Sequence, residues 1–252
     1  MKRAFFILLL TAAFLLSVLP VSSENSTVKV LLYHNLSDSA GSADNPCLLS
    51  VAGFTEQMEW LMENGFVCLT VSGMFERLNG GGLPEKAAVI TFDDGYPGVF
   101  YEAYPVLRDL GCPATAYLVA EKIGMPGNLS AEMIRELYEA GWEIGSHGSS
   151  HSDLLESDDL DPEICGSRKL ISGLTGIPVQ EISSFAYPYG NADERIMTKV
   201  WKCGYLSGAG LGQIPVTKDQ NPYYFPRHSI TPEITIEEFA ALLGKAGWDE
   251  RQ

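Results

Sequence analysis

The chain has 252 residues, with 17 Lys+Arg against 32 Asp+Glu and a formal net charge of −15. That length holds one sizeable domain and excludes a disulfide-stapled miniprotein, and 46% hydrophobic with 19% charged residues excludes wholesale disorder. A pI near 4.6 offers no basic surface to neutralise phosphates, so nucleic acid and anionic membranes are poor partners, whereas neutral or cationic ligands fit.

Lys2-Arg3 precede the apolar run Ala4 to Leu19, which Pro20 breaks before the small residues Val21-Ser22-Ser23. A positive start, a short apolar stretch and a small-residue exit read as a secretory signal peptide over residues 1–23. A membrane anchor needs about 20 apolar residues, more than this run supplies. The mature chain, 24–252, is expected to be secreted or associated with the cell envelope, with no membrane span after cleavage. Its five cysteines (47, 68, 112, 165 and 203) are odd in number and form no CxxC pair. They read as small core hydrophobes rather than a disulfide framework.

Strands then alternate with helices. Val28 to His34 reads as a buried strand. Phe54, Met58 and Leu61 have helical spacing, with Gly65 ending the helix. Phe66–Leu69 and Ala87–Phe92 read as strands, the second stopped by Asp93-Asp94-Gly95. A helix is expected from Tyr104 to Leu110, a strand over 113–119, and a helix over 131–140 with Ser130 as its N-cap. Strands follow at 142–146 and 184–187, with helices over 161–176 and 192–202. A strand-like Tyr205–Ser207, another at 227–230 and a helix within 233–246, capped by Thr231 or Thr235, complete the chain. About seven β-α units predict a single-domain α/β fold, a distorted (β/α) barrel of about seven parallel strands. In such barrels chemistry gathers where strands end. The polar residues there are His34, Asp93-Asp94, His147 with His151, Tyr189 and Arg227.

The chain has only four histidines, at 34, 147, 151 and 228. His147 and His151, four apart, can present two imidazoles to one metal from a single turn. Gly148 follows His147, so the Glu of a zincin is missing. Asp93 and Asp94 end a buried strand, where one carboxylate can bind metal while its neighbour serves as general base. Asp94 with the two histidines would complete a His-His-Asp set with open positions.

Three segments in order resemble the polysaccharide deacetylases, the NodB-homology group of carbohydrate esterases. They are Thr91-Phe92-Asp93-Asp94-Gly95-Tyr96, Ser146-His147-Gly148-Ser149-Ser150-His151 and Phe185-Ala186-Tyr187-Pro188-Tyr189-Gly190. The resemblance implies Asp93 as base, Asp94, His147 and His151 as metal ligands, and a Tyr189 backbone N–H for the oxyanion. Usual members carry a Leu-x-His near the C-terminus whose His is the catalytic acid. Here Leu32-Tyr33-His34 stands at the first strand instead, as in the circularly permuted subgroup that includes deacetylases of exported poly-N-acetylglucosamine, and His34 takes the acid role. The Arg that tethers the base in many members is replaced by Ala186, which leaves Arg227 as the candidate tether. His228 reads as structural. The Asp that orients the acid histidine has no evident counterpart, and Gly148 in place of Ser or Thr is expected to loosen its loop.

The implied activity is metal-dependent removal of N-acetyl groups from an N-acetylglucosamine-containing polysaccharide, a neutral glycan, releasing acetate. Zn²⁺ is the default ion, and mixed N/O ligation also accepts Co²⁺, Ni²⁺ or Mn²⁺. Tyr96, Trp142, Tyr187 and Tyr189 are candidates to stack on sugar faces. Two other classes stay open: a glycan-binding barrel that lost turnover with its tether and orienting residues, and a metal-dependent O-acetyl esterase or non-sugar amide hydrolase.

Overall fold

The computed structural model describes residues 27–38 and 48–244; the expected signal segment and Cys47 lie outside the described residues. In chain order the elements are β1 (Lys29–Tyr33), β2 (Asn35–Leu36), β3 (Leu48–Leu49), α1 (Val51–Glu63), β4 (Val67–Leu69), α2 (Val71–Gly80), β5 (Ala87–Phe92) and α3 (Tyr104–Asp109). There follow β6 (Thr115–Leu118), α4 (Ala131–Glu139), β7 (Glu143–Ser146), α5 (Ser167–Thr175), β8 (Ser184–Ala186), α6 (Glu194–Lys202), β9 (Ser207–Ala209), β10 (His228–Ser229) and α7 (Ile236–Gly244). Local chemistry sets these boundaries. The side chains of Ser50, Thr70, Ser130 and Asp193 each accept an N–H in the first turn of the helix that follows. For α7 the cap is Thr235, which exchanges hydrogen bonds with Glu238 as a capping box.

Eight strands make one sheet, in the order β10-β1-β5-β6-β7-β8-β9 with β4 against β5, and every pairing is parallel. One edge of β5 takes β1, in register from Lys29↔Ala88 to Tyr33↔Phe92. The other edge is shared end to end by β4, at Ala87–Val89, and β6, at Thr91–Phe92. The seam is bridged by the segment before and through β10. It receives N–H bonds from Gly210 and Gly212 onto Phe225 and Arg227, and Ile230 donates to Leu32 of β1. The result is the expected distorted barrel.

Alternation along the strands divides the interior into two layers. Leu31, Tyr33, Ala88, Ile90, Phe92, Leu118, Ile144 and Phe185 pack outward under the helices. Val30, Val89, Tyr117, Ala186 and Ala209 face the lumen, where they meet Val71, Met74 and Leu78 of α2. Helix α2, absent from the predicted elements, thus closes the N-terminal end of the barrel. Its ten residues read as a loop because Gly73, Asn79 and Gly80 weaken the helical signal. Gly145 is required inside the lumen: a Cβ there would lie 2.5 Å from the Tyr117 ring and 2.9 Å from the Ser184 carbonyl.

The helix predicted over 161–176 is a π-helical turn, Asp161–Gly166, running into α5. Cys165 and Cys203 form a disulfide joining this turn to the end of α6, which corrects the reading of all cysteines as core hydrophobes. Cys68 and Cys112 do fit that reading, buried and in contact. Trp142 and Tyr187 are core as well: Trp142 stacks on Phe92, and the Tyr187 hydroxyl donates to the Tyr223 carbonyl, so neither offers a face to a sugar. Among the described residues no helix is long and apolar enough to cross a membrane.

Candidate active site

The lumen-facing positions of β5, one every second residue, run Val89, Thr91, Asp93, so the period-2 rule delivers Asp93 to the top of the barrel. Asp93 is 3% exposed, and its N–H donates to the Tyr33 carbonyl at 3.0 Å. On β7 the same alternation carries Gly145 to His147, which is buried and whose N–H donates to the Leu118 carbonyl at 2.8 Å. His34 lies one step beyond the Tyr33↔Phe92 pair, level with Asp93 at the same rim. His228 pairs with Leu31, three residues short of that rim.

Only three non-glycine residues among those described have positive φ: Asp94 at 70°, His151 at 69° and Tyr189 at 60°. All three are candidate site residues. Such conformations cost about 1–3 kcal/mol each and persist where the surroundings enforce them. Here they turn the chain sharply after β5, β7 and β8 so that side chains converge. His147 directly follows β7, and His151 closes the five-residue loop that begins there.

The convergence has the chemistry of a cation site. Donor atoms of Asp94, His147 and His151 all lie within 4.8 Å of one another. Asp94 Oδ1 is 3.8 Å from His147 Nε2 and 3.4 Å from His151 Nε2, yet it is buried with no hydrogen-bond partner. A buried carboxylate oxygen is costly in that state and would be satisfied by a cation shared with the two imidazoles. His147 Nδ1 lies 2.8 Å from the Ala186 carbonyl, which can only accept, so Nδ1 carries the proton and Nε2 presents its lone pair to the site. Burial, opposed by Asp93, lowers the His147 pKa, which favours that neutral ligand form. The residues present fit a divalent ion.

Beside this set lies the buried pair Asp93–Arg227. Arg227, 1% exposed, donates from Nη1 to Asp93 Oδ1 at 2.7 Å and from Nη2 to Oδ2 at 2.8 Å. Its Nη1 also reaches Thr91 Oγ1 at 3.3 Å, its Nε donates to the Gly210 carbonyl at 3.2 Å, and the guanidinium lies over the Tyr117 ring. Burial pushes the Asp93 carboxyl up most, but the charge and hydrogen bonds of Arg227 together with the nearby His147 and His34 outweigh it, and the pKa falls to about 2. The geometry expected of Arg227 is therefore present.

Tyr189 sits in a single 3-10 turn, Pro188–Gly190; Pro188 has no N–H, and the Tyr189 N–H has no acceptor earlier within the turn. Tyr189 is 60% exposed and its ring stands edge-on to His151 at 4.8 Å, so it keeps a face for a ligand. The loop that contains Gly148 is hydrogen-bonded on both sides. Ala120 and Glu121 donate N–H bonds to the Gly148 and Ser149 carbonyls, and the Glu163 carboxylate accepts from Ser149 and Ser150. Neither the Ala186 carbonyl nor Glu163 was visible in the motifs, because one is backbone and the other lies twelve residues past His151 on a separate element.

The sequence profile of the family described as polysaccharide deacetylase matches residues 80–207, which span the Asp-Asp, His-x-x-x-His and Tyr189 segments. YxkH of Bacillus subtilis (strain 168), a protein named for the polysaccharide deacetylases, is 30% identical over 225 residues, covering 88% of this chain and 78% of its own. A poly-beta-1,6-N-acetyl-D-glucosamine N-deacetylase of Staphylococcus aureus (strain MRSA252) is 25% identical over 198 residues, 73% of this chain and 68% of its own. The crystal structure of BC0361, a polysaccharide deacetylase from Bacillus cereus, superposes with a TM-score of 0.77 at 29% identity, covering 86% of this chain and 69% of that one. With the fold, the motif order and the converging side chains in agreement, the chain belongs to the polysaccharide deacetylase family.

Proposed function

We propose that this protein is an exported, metal-dependent N-deacetylase acting on a polysaccharide that contains N-acetylglucosamine. The observation that carries the reading is the orphaned Asp94 Oδ1 facing two imidazole nitrogens, next to a carboxylate clamped by Arg227. The Staphylococcus aureus relative, whose name specifies poly-beta-1,6-N-acetyl-D-glucosamine, suggests β-1,6-linked N-acetylglucosamine as the substrate to try first.

Amide cleavage needs a polarised carbonyl, a deprotonated water and a protonated leaving nitrogen. Asp94, His147 and His151 would hold a divalent ion, with Zn²⁺ the default, which would supply Lewis acidity and a more acidic water. Asp93, ionised and oriented by Arg227, takes the proton of the attacking water. The Tyr189 N–H donates to the developing oxyanion, a contact of the kind worth about 3 kcal/mol. His34, at the rim beside Asp93, gives a proton to the departing amine. Its place on β1 serves because β1 lies between β5 and β10 at the barrel seam, so a first strand can stand where other members use a late one. This placement supports the reading of a permuted order.

The test is acetate release from β-1,6-linked N-acetylglucosamine oligomers by the purified protein, with and without chelator, beside O-acetylated oligomers. Chelator-sensitive release from the N-acetyl substrate is expected. No release by protein that holds its metal would leave a glycan-binding barrel, and release from O-acetyl substrates alone would make it an esterase.

A further inference from the structure

We propose that Glu163 is a positioning residue for the two metal-site histidines, a role that rests on the reading of Asp94, His147 and His151 as ligands. The ligands are separated by Gly148-Ser149-Ser150, a loop that must turn twice through positive φ, at Gly148 (82°) and at His151 (69°). Such a loop does not satisfy its own amides. Glu163 Oε2 accepts the N–H groups of Ser149 at 2.9 Å and Ser150 at 3.1 Å, and its Oε1 accepts the Ser150 hydroxyl at 2.6 Å. Three bonds to one carboxylate are charge-assisted and fix the loop in two dimensions.

Gly148 makes this possible. A Cβ at that position would lie 3.0 Å from Glu163 Oε2, so a side chain there competes with the carboxylate for the same space. Glu163 itself stands on a firm base. The π-helical turn that carries it buries Ile164, whose carbonyl accepts from the Tyr205 hydroxyl at 3.1 Å, and the adjacent Cys165 is tied to Cys203. On the opposite side Ala120 and Glu121 hold the loop carbonyls. The loop is thus gripped by its amides from one element and by its carbonyls from another, and the imidazole at each end inherits its position. Removal of Glu163 frees the amides and lets His151 leave its strained backbone conformation, which weakens the preformed ligand set.

The experiment is Co²⁺ titration of the purified, metal-stripped protein, read by visible d–d absorption and calorimetry, for the parent, Glu163→Ala and Glu163→Gln. Far-UV circular dichroism and melting in chelator report the fold without metal. Outer partners of ligands typically change metal affinity by about 10–100-fold, and a loss in that range is expected for Glu163→Ala, with shifted d–d bands and an intact apo fold. Glu163→Gln, which retains one acceptor oxygen, falls between. Affinity within twofold of the parent and unchanged bands in Glu163→Ala would overturn the proposal. So would loss of fold in both variants, which would make Glu163 a folding residue. A parent that binds no Co²⁺ fails earlier and removes the ligand assignment itself, an outcome distinct from either of these.

Discussion

Arg227 grips both carboxylate oxygens of Asp93 from 134 residues away in the chain, at 2.7 and 2.8 Å, and both side chains are withdrawn from solvent. A buried pair of this kind is strongly destabilised when one partner is removed, because the other charge remains in a low-dielectric interior. Arg227→Met is expected to cost about 3–5 kcal/mol in urea unfolding. Arg227→Lys should cost less and lose the two-point grip that sets the carboxylate plane. An unfolding midpoint for Arg227→Met equal to the parent's would deny the pair its energetic role.

Asp93 has a folded pKa of about 2 against an ordinary 3.8. A depressed carboxyl contributes stability that is full above the unfolded value and disappears as pH falls through the folded one. The window is therefore pH 4 down to 2. The melting advantage of the parent over Asp93→Asn should be constant above about pH 5 and narrow below pH 4. In the deacetylase assay the same variant should keep its metal and lose about 10²–10⁴-fold in turnover, since an amide cannot take the proton of water. Near-parental turnover with bound metal would move the base elsewhere.

His147 and His151 should behave as ligands and His34 should not. Alanine at either ligand position is expected to abolish stoichiometric binding of a divalent ion, measured by elemental analysis. His34→Ala should bind the ion like the parent and lose more activity on an N-acetyl amide than on an activated acetyl ester, whose leaving group needs no proton. Equal losses on both substrates would place His34 outside proton delivery.

Glu143, at the start of β7, is a buried acid whose hydrogen-bond partners, Ser72 and Thr115, are neutral. Oε2 accepts the Ser72 N–H at 2.7 Å at the head of α2, while Oε1 has no partner. Burial raises its pKa against the bonds from Ser72 and Thr115. A raised carboxyl stabilises below its unfolded pKa, and that contribution is lost as pH rises through the folded value. Glu143→Gln keeps an acceptor for Ser72 without the charge, so its melting temperature relative to the parent should improve between pH 4 and pH 7. A difference that stays flat with pH would mean the charge is not a burden there.

The local signals in the sequence determined a large share of this protein. Apolar runs stopped by turn residues located β1, β5, β6, β7 and β8, and caps such as Ser130 located helices. The residue types and spacing at 91–96, 146–151 and 185–190 named the Asp94, His147 and His151 set, because these are contiguous motifs at strand ends. Helix α2 escaped, since its stability comes from plugging the lumen with Val71, Met74 and Leu78 rather than from helix propensity. The sequence also could not show that Cys165 meets Cys203, that the Ala186 carbonyl fixes the His147 tautomer, or that Glu163 holds the loop between the histidines. Arg227 was nominated by elimination alone; its two-point contact with Asp93 required the barrel to close and carry the last strand beside the first. Contacts between distant segments follow from closure and twist of the sheet, which no local pattern encodes, so tertiary structure alone decided them.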